Sequence, residues 1–407
     1  MDEQRPLPTL DARFDSGNGQ LVDVEPGPPA RLRVLIEPDR MPASSEPLGD
    51  SAPPGEQGPA PFRQWFHFRV HGEAGVPVEI VIENASLASY AGGWTDYRAV
   101  VSEDEQHWYR VDTDYVEGRL RIRHRSPTGT FACAYFAPYP LSRHAGLLAR
   151  AQGHPDVQRI ALGRTVDGRV LDALRVGAQD ATRLPLWIIA RQHPGESMAE
   201  WFVEGLLDRL LDEADPVARR LRAHHQLWIV PNMNPDGTLR GHLRTNAAGI
   251  NLNRAWQEPD PVTSPEVHAV REAMLRTGVS LSLDVHGDEA LPWVFTAGCE
   301  GAPGYGGEWQ AAQERFRERL RVASPDYQTR HGYPVPPPGR ANPVIATNWI
   351  GGHFQCPAFT LEMPFKDNAG APDPVHGWSP ERAARLGAAT LGPLLAHLED
   401  AAGAATA

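Results

Sequence analysis

The chain has 407 residues, with 39 Lys+Arg against 51 Asp+Glu and a formal net charge of −12. That length suits two or three domains, and 41% hydrophobic with 22% charged residues argues against long disorder or a fibre. The acidic balance argues against a binder of nucleic acid or anionic membrane, since both require clustered positive charge.

The N-terminus, MDEQRPLPTLDARFDSG, lacks the basic-then-apolar order of a signal peptide, and no run of about 18 apolar residues follows. Cys133, Cys299 and Cys356 are widely spaced and odd in number, so no disulfide framework is expected. The expectation is a cytoplasmic protein. Short β-rich runs then alternate with turn residues at Arg31–Ile36, Gln64–Val70, Val78–Glu83, Tyr97–Ser102 and Arg119–His124. They predict a small antiparallel β-sandwich over residues 1–145. Its one long interruption, Met41–Pro61, is rich in Pro, Gly and Ser and is expected to be mobile.

The pattern changes near Tyr139–Gly153. From there apolar runs (Leu186–Ala190, Leu227–Val230, Leu281–Val285, Ala358–Glu362) alternate with helical segments. Ser264-Pro265-Glu266 and Ser379-Pro380-Glu381 read as helix starts, each with a capping Ser, Pro at the first turn and an early acid. Residues 146–407 therefore predict an α/β domain with a mixed, mainly parallel sheet flanked by helices. Chemistry in such domains collects at the carboxyl ends of strands.

The Leu186–Ala190 run leads into His193-Pro194-Gly195-Glu196 and then an amphipathic helix. His193 and Glu196 are three apart, so at a helix start both side chains converge on one point, and imidazole with carboxylate suits Zn²⁺. Taken alone, so short a pattern more often marks a surface His beside an acid that favours the helix dipole. A catalytic zinc needs a third protein ligand, and His286 ends another apolar strand on the same rim. Asp288 and Glu289 follow it as solvated loop acids or as partners of the ligands. Arg244, Asn253 and Arg254 lie on Gly-rich segments after Asn234-Pro235-Asp236-Gly237, and guanidinium forks match carboxylates bidentately; either arginine could instead be a solvated surface residue. Glu362 stands inside an apolar strand, a setting that makes either a general base or a half-buried ion pair.

Taken together, the ordered motifs HPGE, NPDG (234–237), NLNR (251–254), the strand-end His286 and TLEMPF (360–365) resemble the zinc carboxypeptidases of the carboxypeptidase A fold. The chain is most similar to the bacterial members of the cytosolic carboxypeptidase branch, from the N-terminal β-domain through the FAPYPLSRH junction (136–144) to the C-terminus. The resemblance implies one zinc ion per chain held by His193, Glu196 and His286, and Glu362 as general base on zinc-bound water. It assigns Arg244 to the scissile carbonyl and its oxyanion, with Asn253 and Arg254 on the substrate's terminal carboxylate. Partners would be peptide or protein C-termini; Arg340, on the Pro336–Gly339 loop, is a candidate contact for an acidic terminal residue. Two positions differ from the wider family: Asn251 stands where an Asp usually orients the first zinc His, and no Tyr occurs from Val335 to Glu362, the nearest upstream being Tyr333. A zinc deacylase of N-acyl amino acids and an inactive carboxylate-binding homologue are the competing readings.

Overall fold

The computed structural model describes residues 6–42, 61–178 and 184–404. In the N-terminal part the Ala30–Leu35 and Arg119–His124 strands alternate burial along their length, one face on a core and one outward, whereas Val78–Ile82 is buried throughout. Two five-stranded sheets result among the described residues. One orders Thr9–Asp11, His67–His71, Thr130–Ala134, Val100–Ser102 and Tyr109–Arg110, all antiparallel. The other orders Gln20–Glu25, Ala30–Leu35, Val78–Ile82, Arg119–His124 and Asp112–Val116; here Ala30–Leu35 runs parallel to Val78–Ile82, a departure from the antiparallel expectation. Leu32, Val34, Phe66, Phe68, Ile80, Ile82, Leu120 and Ile122 are buried together in its core. Most of the Met41–Pro61 segment, residues 43–60, lies outside the described residues.

The helix Leu141–Gln152 leads into a seven-stranded sheet. Its order is Val157–Arg164, Val170–Gly177, Gln226–Val230, Leu186–Ala190, Leu281–Asp288, Ala358–Pro364 and Phe295–Ala297. The four central strands pair in parallel, and the three outer pairings are antiparallel. The parallel character thus belongs to the middle of the sheet, where both faces are covered and Leu186–Ala190 and Leu281–Asp288 are buried throughout. Helix starts follow Pro265 and Pro380 as expected, but with different caps. Ser379 Oγ accepts from the Arg382 amide, whereas Ser264 Oγ donates to the Asp260 carbonyl and caps nothing.

The helix Met198–Leu210, which follows HPGE, packs against the C-terminal helix Pro380–Ala404 at backbone contact. A Cβ on Gly205 would meet the Ala384 carbonyl oxygen at 2.1 Å, and one on Gly387 would meet that of Phe202 at 2.0 Å. No helix among the described residues is long and apolar enough to cross a membrane, and all three cysteines are free and buried.

Candidate metal centre

His193 follows the Leu186–Ala190 strand, Glu196 closes the turn before the Met198–Leu210 helix, and His286 lies near the end of the neighbouring strand. All three are buried, and a ligand atom from each falls within 4.8 Å of the other two. His193 Nδ1 is 2.6 Å from Glu196 Oε1, His286 Nδ1 is 2.7 Å from Glu196 Oε2, and the two Nδ1 atoms are 3.1 Å apart.

The outer nitrogens set the tautomers. His193 Nε2 donates to Asn251 Oδ1 at 3.0 Å, and His286 Nε2 to Asp284 Oδ2 at 2.9 Å. With Nε2 carrying the proton, each ring in the neutral form that binds a metal would turn its Nδ1 lone pair toward the other ring and the Glu196 carboxylate. Acceptors at these separations require a shared cation, a proton or a metal ion. Two imidazoles and one carboxylate, with both imidazoles anchored from behind, are a donor set that could hold a metal ion, and their N/O chemistry suits zinc. Burial, with the charge of Arg244, pulls His193 down to about 4. Burial also pushes the Glu196 carboxyl up, but the two histidines outweigh it and hold the group well below its usual range. For His286, burial is outweighed by Asp284 and Glu196, which raise it well above an ordinary imidazole.

Glu362 sits on the Ala358–Pro364 strand directly opposite His286 in the parallel register, so both side chains emerge on the same side of the sheet. Burial pushes its carboxyl up to about 8; His286 opposes this, while Glu196 and Asp288 add to it. Its Oε1 lies 3.2 Å from the Tyr333 hydroxyl oxygen, whose one proton faces the nearer Asp288 Oδ2, and its buried Oε2 has no hydrogen-bond partner among the described residues.

The guanidinium of Arg244 lies 3.8 Å from Glu196 Oε1 and over the rings of Phe62 and Tyr90. Asn253 is buried; its Oδ1 accepts from the Ala346 amide, and its Nδ2 is 3.5 Å from His286 Nε2. Arg254 is half-buried and joins through its neighbour, donating from Nη1 to the Asn253 carbonyl at 2.8 Å. Arg340 is exposed on its loop.

Asp288 and Glu289 are not solvated. Both are buried; Asp288 accepts from the Ala290 and Leu291 amides and from the Tyr333 hydroxyl, and burial lifts the Glu289 carboxyl well above its usual range against the pull of Arg244. Two contributors went unassigned in the sequence. Asp284 stands two residues before His286, so a strand puts both on one face; the Asp-x-His spacing was its signal. Tyr333 reaches Glu362 across 29 residues, and nothing local marks it.

Two family models match the chain: the cytosolic carboxypeptidase N-terminal domain over residues 10–136, and zinc carboxypeptidase over 145–381. A metallo-carboxypeptidase of Burkholderia cenocepacia superposes with a TM-score of 0.88 at 43% identity, covering 97% of this chain and 100% of that one. A metallo-carboxypeptidase of Pseudomonas aeruginosa, solved in complex with (2-guanidinoethylmercapto)succinic acid, also gives 0.88 at 43% identity, covering 96% and 99%. Cytosolic carboxypeptidase 6 of Mus musculus is 27% identical over 311 residues, 70% of this chain but 54% of that protein. The chain spans about half the length of this mouse relative. With its zinc carboxypeptidase match alone covering more than half its residues, the chain belongs to the zinc carboxypeptidase family and is a metallocarboxypeptidase with a cytosolic-carboxypeptidase N-terminal domain.

Proposed function

We propose that the protein hydrolyses the C-terminal bond of peptides or proteins with one zinc ion per chain, held by His193, Glu196 and His286 in a catalytic unit of residues 146–407. The observation that carries this reading is the grouping of Arg244 and Asn253, with Arg254 beside them, around a buried His–Glu–His acceptor set. Bound there, zinc lowers the pKa of attached water and polarises a carbonyl.

The chain's own groups do the rest. Glu362, whose Oε2 has no hydrogen-bond partner among the described residues and whose burial raises its affinity for a proton, takes in its ionised form a proton from the attacking water and returns it to the departing amine; zinc bound beside it would favour that ionised form. Arg244, screened from water by Phe62 and Tyr90, faces the developing oxyanion. Arg254 with Asn253 receives the terminal carboxylate, which fixes the scissile bond one residue away. The succinic acid derivative bound by the Pseudomonas relative is in keeping with such a receptor.

The test compares a peptide with its C-terminally amidated form. A charged hydrogen-bonded pair is worth about 1.5–3 kcal/mol, so the amide should be cut about 10- to 100-fold more slowly in kcat/KM. Arg254→Ala should remove most of that difference by slowing only the free acid. Equal cleavage of both peptides at internal bonds would refute the exopeptidase reading, and preference for short N-acyl amino acids over peptides would favour a deacylase.

A further inference from the structure

The segment 239–250, which carries Arg244, is gripped from outside its own domain. Ser16 donates its amide to the Leu239 carbonyl, Asn18 Nδ2 donates to the Gly241 carbonyl at 3.0 Å, and Arg40 donates its amide to His242 Nε2. A Cβ on Gly249 would meet the Met41 carbonyl carbon at 2.5 Å. At the centre of this grip stands Asp39, 3% exposed. Its Oδ1 accepts from the Leu243 amide at 2.6 Å. Its Oδ2 accepts from the Arg244 amide at 2.7 Å, the Thr245 amide at 2.9 Å and Thr245 Oγ1 at 3.1 Å. Three successive backbone N–H groups thus close on one carboxylate, the arrangement of an anion nest.

Leu243 is held from both sides, because its carbonyl accepts from the amide of Gly195, inside the His193–Glu196 turn, at 2.9 Å. The segment therefore has a fixed position relative to the metal ligands, and Asp39 determines where the Arg244 side chain leaves the backbone. Phe62, whose carbonyl accepts from the Asp39 amide, covers the same guanidinium. We infer that Asp39 of the N-terminal domain is a positioning residue for hydrolysis, acting through the backbone of residues 243–245 to aim Arg244 at the transition state.

This inference rests on the role assigned to Arg244. An aimed oxyanion donor acts mainly on kcat, and losing one outright costs about 10²–10³-fold. Asp39→Asn keeps the shape but loses the charge and one acceptor. It should lower kcat about 10- to 100-fold, leave KM within about threefold, and retain wild-type zinc content. In an Arg244→Ala background, Asp39→Asn should change kcat less than about threefold, since the group it aims is gone. Thr245→Val, which removes one of the four bonds to Asp39, should give a smaller kcat loss with the same dependence on Arg244, and decides the matter alone if Asp39→Asn does not fold. Wild-type kcat in the Asp39 variant, or equal losses with and without Arg244, would overturn the inference and leave Asp39 as ordinary packing between domains. Unimpaired turnover in Arg244→Ala alone would instead overturn the oxyanion role on which the inference rests.

Discussion

The two imidazoles of the centre are backed unequally, His286 by the carboxylate of Asp284 and His193 by the amide of Asn251. Asp284→Asn removes the difference cleanly. His286 Nε2 and Gln192 Nε2 both donate to the same oxygen, Oδ2, at 2.9 and 2.7 Å, so an amide oxygen can accept from both. Gln192 cannot turn to object, because its Oε1 accepts from Trp256 Nε1 at 2.9 Å. The new NH₂ falls where Oδ1 has no hydrogen-bond partner, so the main change is loss of a negative charge behind the ring, plus about 1–3 kcal/mol of fold stability for a buried unpaired donor. Partners behind metal-binding histidines are worth about 10- to 100-fold in affinity, or roughly 1.4–2.7 kcal/mol. Competition against a chromophoric chelator near pH 7.5 should show zinc binding weakened by that factor. Asn251→Asp should move it the other way, since a carboxylate would replace an amide whose Nδ2 is itself unpartnered. If both variants bind zinc within twofold of wild type, charge behind the rings does not tune this site.

Metal analysis should find one zinc per chain in the wild type and sharply less in His193→Ala and His286→Ala; full occupancy in both would reject the proposed ligand set. Glu362→Gln should keep its zinc but lose at least about 10²-fold in turnover, since an amide cannot accept the water's proton; activity within a few-fold of wild type would remove Glu362 as base. The same variant gives a pH signature in metal-free protein. The Glu362 carboxyl releases its proton near 8 when folded and near 4.5 when unfolded, so the folded state holds more protons in between and loses stability as pH rises through that window. Melting temperatures should show Glu362→Gln gaining on wild type from pH 5 to pH 8; a constant difference would mean the carboxyl is not held protonated by the fold.

The four apolar runs LWIIA, LWIV, LSLDV and AFTLE are the four strands that pair in parallel, and they were legible because strands covered on both faces need continuous apolar sequence. The outer strands were not: Val157–Arg164 is partly exposed along its length, and its antiparallel sense comes from the short connection to Val170–Gly177. The convergence of His193, Glu196 and His286 could be anticipated because strand ends share a rim. Asp288 and Glu289 looked solvated because loop acids usually are, and their burial depends on Tyr333 and on the N-terminal domain, whose Gly93 lies against the Glu289 carbonyl. Asp39 meets its amides across 204 residues, a contact no local pattern encodes.

The backbone contact between the Met198–Leu210 and Pro380–Ala404 helices bears on how this protein could be made more heat-resistant. Replacing helical Gly with Ala ordinarily adds about 0.5–1 kcal/mol by restricting the unfolded chain. At Gly205 and Gly387 the added methyl would strike a carbonyl near 2 Å and wedge apart the helix that begins directly after Glu196. Gly392 has open space around it but precedes Pro393, whose ring crowds a preceding Cβ in helical geometry. Gly146, in the Leu141–Gln152 helix, would place its methyl no nearer than 3.9 Å to the tip of Arg150. Of these four helical glycines it alone is a site for thermostabilisation; the other three hold their places by shape.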